Sequence, residues 1–116
     1  MQTERAISLL KQMIATPSPS REEGRVADII EAELRALGFE PQRKDNNVWA
    51  AAWAFDEKKP TILLDGHIDT VKPSALWTKD PFKATEEDGK LYGLGANDAG
   101  ASVVSLIATF ISLTTK

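Results

Sequence analysis

An α/β layer fold is what this sequence predicts, and three observations predict it. Two opening segments carry apolar residues at helical spacing, a short wholly apolar run follows at residues 61–64, and the last stretch returns to the helical period. Helices that alternate with a buried strand cover their apolar faces most simply as layers around one core. The 116 residues suffice for one domain with a modest core, and no internal repeat, low-complexity segment or linker divides them.

The first helix is expected over residues 3–15, where Ile7, Leu10 and Ile14 recur on one face and Leu9 and Met13 widen it. Thr3 is the expected cap. Thr16-Pro17-Ser18-Pro19 stops the helix, because proline cannot continue the hydrogen-bond ladder. Ser20-Arg21-Glu22-Glu23 then reads as a capping box with Ser20 as cap. The helix it opens carries Val26, Ile29, Ile30, Leu34 and Leu37, and Gly38 closes it.

From Phe39 the period changes. Residues 39–43 and 48–55 are predicted strands about a turn at Asn46-Asn47, and residues 56–60 form a charged turn. The run Thr61-Ile62-Leu63-Leu64 has the pattern of a central strand buried on both faces. Segments 82–86 and 90–93 flank Glu87-Asp88-Gly89, whose Asp-Gly pair favours a hairpin. A glycine-rich loop over 93–100 leads into a final helix over 101–113, with Val103, Val104, Ile107, Phe110 and Ile111 on its apolar face.

Composition narrows the partners. A net charge of −3 and a pI near 5.1 argue against nucleic acid or an anionic membrane. No apolar run approaches the roughly 18 residues of a spanning helix, and the opening residues lack the basic-then-apolar pattern of a signal peptide. The absence of cysteine removes disulfides and thiolate ligands together, which makes the cytoplasm the simplest expectation.

The sharpest chemical signal is His67-Ile68-Asp69, just beyond the apolar run. Side chains leave the core at strand ends, and residues two apart on an extended chain point the same way. A metal-bound imidazole usually gives its other N–H to a carboxylate, and Asp69 is spaced to accept it. The competing reading is a lone histidine hydrogen-bonded for structure. Asp98 is the second candidate, in the glycine-rich loop before the last helix. A carboxylate there can bridge two cations, but aspartate is also a favoured helix cap. Asn97 would cap equally well. Asp65 suits a turn hydrogen bond, and Glu86, Glu87 and Asp88 a solvated hairpin tip.

Gly66-His67-Ile68-Asp69-Thr70-Val71, Trp77-Thr78-Lys79-Asp80-Pro81-Phe82 and Asp88-Gly89-Lys90-Leu91-Tyr92-Gly93-Leu94-Gly95-Ala96-Asn97-Asp98 occur in that order. Together they resemble the motifs of the zinc-peptidase family that holds acetylornithine deacetylase, succinyl-diaminopimelate desuccinylase, aminoacylase and glutamate carboxypeptidase. The resemblance implies a three-layer α/β sandwich with a mixed sheet, of which residues 1–116 would be the amino-terminal part of the catalytic domain. It implies His67 as a ligand to one of two zinc ions, Asp98 as the bridge between them, and Asp69 as the catalytic-site carboxylate that orients His67. Cobalt or manganese would suit the same donors. The peptide after the bridging aspartate is typically cis in that family.

The activity implied is metal-dependent hydrolysis of an amide in a small N-acyl amino acid. Asp-Thr-Val-Lys-Pro and Asn-Asp-Ala-Gly most resemble acetylornithine deacetylase-like members, so N-acetyl- or N-succinyl-ornithine, in arginine biosynthesis, is the expected substrate. A dipeptidase or desuccinylase of the same superfamily is the alternative, and a non-catalytic α/β remnant a third reading. Lys72, Leu94 and Ala99-Gly100 depart from the commonest motifs and leave the implied ligands alone. The general base, the remaining ligands and a lid or dimerisation domain would lie beyond Lys116. The family reading therefore expects a possible homodimer as the whole protein, and no activity from these 116 residues alone.

Overall fold

Two amphipathic helices open the chain and pack against each other. The structure, a computed structural model, describes residues 1–114. Helix α1 (Thr3–Ile14) buries Leu9, Leu10, Met13 and Ile14, the residues that its stripe marks for the core. It starts from Gln2, whose carbonyl accepts from both Arg5 and Ala6 N–H, so Thr3 lies inside the first turn and does not cap it. Helix α2 (Gly24–Ala36) buries Val26, Ala27, Ile30 and Leu34. The Ser20 capping box does not form. Arg21 has φ +76°, and its N–H takes the Glu23 carboxylate at 2.5 Å, which leaves Glu23 as the cap residue and turns Ser20 away. Gly38 (φ +90°) closes α2 as expected, with Phe39 N–H on the Leu34 carbonyl and Gly38 N–H on that of Arg35.

The strands are shorter than the sequence suggests. Strand β1 (Gln42–Lys44) pairs antiparallel with β2 (Asn47–Trp49) about Asp45-Asn46, one residue ahead of the expected turn. Phe39 is a core residue and not the start of a strand. It is 4% exposed, stacks on Trp53 at 4.5 Å and meets Phe110 at 4.8 Å. Trp53 donates its indole N–H to the Gly38 carbonyl, which draws residues 50–55 back over the end of α2 and out of any ladder. Strands β3 (Thr85–Glu87) and β4 (Lys90–Tyr92) form the second hairpin, turning at Asp88 and Gly89 with φ +53° and +73°, the sign a type I′ turn requires.

The predicted central strand at 61–64 is absent. Ile62 is 84% exposed and Leu63 80%, and no described segment pairs with them. An apolar run becomes a buried strand only where neighbours supply a ladder and two covering faces. Here neither is present among the described residues. The fold is mixed α/β, with its sheets reduced to two separate hairpins.

Helix α3 (Ala101–Thr114) follows a wide turn over Ala96–Gly100, closed by Gly100 N–H on the Gly95 carbonyl at 2.8 Å. A Cβ at Gly100 would lie 2.7 Å from both Leu10 Cδ1 and Gly95 O, so α1 packs directly against this turn. Val103 and Val104 complete the core with α1 and α2. Contrary to the sequence expectation, the 19-residue stretch Ala96–Thr114 is long and apolar enough, by length and composition, to cross a membrane. Its backbone leaves helical geometry at Asp98 and Ala99. The regular helix α3 spans 14 residues, about 21 Å at 1.5 Å per residue, against the roughly 30 Å of a bilayer core.

Candidate active site

The His67 ring lies between two carboxylates. Its Nδ1 is 3.0 Å from Asp69 Oδ1 and 3.2 Å from the Asp69 carbonyl, and its Nε2 is 3.0 Å from Asp98 Oδ1. Residues 67 and 69 leave the same side of an extended segment, as their spacing predicts. Asp98 comes from the wide turn before α3, where φ −119° and ψ 93° aim it at the ring and not at the helix end. The Asp98–Ala99 peptide is cis, the geometry the resemblance implies. All three candidate residues thus meet at one point. Asp65 joins neither the ring's hydrogen bonds nor the adjacent cleft.

A fourth residue belongs to the group and was not expected there. Ser20 Oγ donates to Asp69 Oδ2 at 2.5 Å. Its backbone neighbourhood is tied to the histidine segment as well. Ser18 Oγ donates to the Ile68 carbonyl at 2.9 Å, Thr70 N–H to the Ser18 carbonyl at 2.8 Å, and Pro19 forms a parallel bridge with Thr70. The connection between α1 and α2 therefore serves as a backing strap for residues 68–70. Local sequence favours a capping role for a serine just before a helix, so only the prolines that hold this connection extended hint at the other use.

The charges shift accordingly. Partial burial opposes charge on His67, but the Asp69 carbonyl and carboxylate outweigh it, with Asp98 adding, and the ring is held above its ordinary pKa. The Ser20 hydroxyl outweighs a desolvation cost and, with the His67 ring, holds the Asp69 carboxyl below the usual carboxylate range. Beside the ring opens a cleft of about 370 Å³, walled by Val71, Trp77 and Leu94 on its apolar side and by Asp69, Asn97 and Asp98 on its polar side.

His67 Nε2 and Asp98 Oδ1 are the donors that a metal ion would meet here. A tetrahedral zinc with bonds of about 2.0–2.2 Å places its ligand atoms about 3.3 Å apart. The Nε2 to Oδ1 separation is 3.0 Å, and both side chains are open to solvent. One imidazole nitrogen and one carboxylate fit as a pair of ligands, whereas a structural or catalytic zinc takes three or four. Among the described residues no group of three or more His, Cys, Asp or Glu side chains could hold an ion. His67 and Asp98 thus present two donors, fewer than a complete metal site takes.

Comparison with known proteins bears on this arrangement. The sequence profile described as Peptidase family M20/M25/M40 matches residues 63–116, the stretch that carries His67, Asp69 and Asp98. Succinyl-diaminopimelate desuccinylase from Thiobacillus denitrificans is 37% identical over 88% of this chain and 26% of its own length. Its namesakes from Blochmanniella floridana and Delftia acidovorans are 36% and 31% identical over 89% of this chain. By these matches the chain is similar to members of Peptidase family M20/M25/M40. It spans under a third of the length of these relatives, 29% in each of the last two. The family's chemistry is hydrolysis, the class that the motifs imply.

Proposed function

We propose that these residues form the His67–Asp98 side of the active site of a metal-dependent amide hydrolase acting on a small N-acyl amino acid in the cytoplasm. The observation that carries this reading is the His67 ring held between Asp69 and Asp98, at the mouth of the cleft. Asp69 binds Nδ1 and so orients the ring, which leaves Nε2 as a ligand atom beside the Asp98 carboxylate. Asp98 engages the ring through Oδ1 and is 84% exposed, which suits it to share its oxygens between two cations. When bound, a divalent ion polarises a scissile carbonyl and makes water a stronger acid. Zinc suits the nitrogen and carboxylate donors, and cobalt or manganese suits them as well. Residues 1–116 are, in this reading, the amino-terminal portion of the catalytic domain, with the general base and further ligands supplied from elsewhere in a longer protein that would carry a lid or dimerisation domain.

The printed names of the relatives favour N-succinyl-diaminopimelate as the first substrate to test. N-acetyl- and N-succinyl-ornithine, which the motif details suggest, come second. The test compares hydrolysis of the three by a protein that carries this chain in its natural continuation, with and without chelator. The expected outcome is a chelator-sensitive rate on one N-acyl amino acid, abolished by His67→Ala with the fold kept. The 116-residue chain alone should show none. A full-rate His67→Ala enzyme would overturn the reading, and so would chelator-sensitive turnover by the isolated chain.

A further inference from the structure

We propose that Ser20 is a positioning residue: by donating to Asp69 Oδ2 it fixes the carboxylate so that Oδ1 holds the His67 ring protonated on Nδ1, with the Nε2 lone pair facing Asp98. The inference rests on the reading of His67 as a metal ligand only for its consequence, since the positioning itself is a property of the chain.

His67 has carboxylate oxygens at 3.0 Å from each ring nitrogen, so distance alone does not decide where a neutral ring keeps its proton. Mobility decides it. Asp98 projects into solvent with 84% of its side chain exposed, whereas Asp69 is 37% exposed and held at both oxygens. The Ser20 bond, at 2.5 Å, has the length of a strong hydroxyl-to-carboxylate hydrogen bond. A second acceptor for Nδ1, the Asp69 carbonyl at 3.2 Å, adds to the same side. The Ser18–Ile68 and Thr70–Ser18 bonds fix the two backbones relative to each other, and prolines at 17 and 19 restrict the strap, so Ser20 is delivered to Asp69 by the fold. Removal of the hydroxyl frees one carboxylate oxygen and lets Asp69 rotate away from the ring.

The test reads the tautomer directly, by long-range proton–nitrogen NMR of His67 in the metal-free 116-residue chain, in alkaline solution where the ring is neutral. Wild type and Ser20→Thr should show the Nδ1–H form. Ser20→Ala, and Ser20→Val as the threonine-shaped control without a hydroxyl, should drift towards an even mixture. Ser20 is exposed, so circular dichroism should be unchanged in all of them. In an Asp69→Asn background Ser20→Ala should have no further effect, because it acts through that carboxylate. Cobalt titration of the same variants in a protein that carries this chain in its natural continuation supplies the second readout, with affinity about tenfold weaker in Ser20→Ala. A wild-type tautomer ratio in folded Ser20→Ala overturns the proposal, as does a wild-type ring protonated mainly on Nε2. If the longer protein binds no cobalt while the tautomer still follows Ser20, the metal reading fails and the positioning role stands. If cobalt binds alike in wild type and Ser20→Ala with one shared tautomer ratio, the positioning role fails and the metal reading stands.

Discussion

In α1, Leu9 and Ile14 are 1% and 2% exposed, while in the stretch joining the two hairpins Ile62 and Leu63 are 84% and 80% exposed. Both segments are comparably apolar. What separates them is whether the chain supplies a partner. The stripe of α1 meets α2 on one side and α3 on the other, so periodicity and burial agree. Between Ala50 and Ala84, which pack against that core, the chain touches it through Ile68 and leaves Val71 and Leu76 in solvent as well. The radius of gyration, 14.9 Å, exceeds the roughly 13 Å of a compact chain of this length. The candidate site lies on the boundary between the two regions. His67 and Asp69 belong to the open stretch, Ser20 and Asp98 to segments packed against or flanking the helices, and the Ser18–Ser20 strap joins them.

The contrast breaks most sharply in the core. Leu9→Ala removes a side chain packed among Met13, Ile14, Val26 and Val104, and should cost about 2–5 kcal/mol of stability. Urea denaturation of the 116-residue chain measures it. A cost below about 1 kcal/mol would mean that the helices are not the stabilising unit, and the division drawn above would fail.

How much of this was legible in the sequence follows the same line. Helices α1, α2 and α3 were legible because their stripes bury against one another, and the Asp88-Gly89 hairpin because turn chemistry is local. The facing of His67 and Asp69 followed from a two-residue spacing on extended backbone. Asp98 was harder, since an acidic residue before a helix usually caps it, and the motif order singled it out. Ser20 was illegible because its partner lies 49 residues away, while the local pattern favoured a capping box. The run at 61–64 failed for a different reason. Four apolar residues state a demand for burial, and nothing in those four residues shows that the demand is met.

A polar replacement in the open stretch sharpens the comparison. Ile62→Asn exchanges an exposed apolar side chain for a polar one and should change stability by no more than about 0.5 kcal/mol. Self-association should respond instead. Exposed Ile62 and Leu63 form an apolar edge with unpaired backbone, and such edges favour intermolecular contact. Light scattering against concentration should therefore show less association in the variant at unchanged urea midpoint. A loss of 2 kcal/mol or more, on the order of a core truncation, would show that this stretch packs in solution.

The smallest effect is expected where the open stretch is tied back to the second hairpin. Lys79 Nζ lies 2.8 Å from Glu87 Oε2 and 4.8 Å above the Tyr92 ring. The Lys79 ammonium holds the Glu87 carboxyl below its ordinary pKa, and Glu87 in turn raises that of Lys79. A carboxyl whose folded pKa is depressed stabilises the fold above its unfolded pKa and loses that contribution as pH falls through the folded value. A lysine with a raised folded pKa contributes below its unfolded pKa and loses that contribution as pH rises through the folded value. The pair therefore acts between the acidic and the strongly alkaline limits. Glu87→Gln should lower the melting temperature slightly at neutral pH, less so in high salt, and not at all in strong acid, where wild-type Glu87 is itself neutral. A difference that persists undiminished into acid would assign the contribution to hydrogen-bond shape and not to charge. The open stretch would then be held to the hairpin by packing, and the boundary between the two regions would move from β3 back towards Trp77.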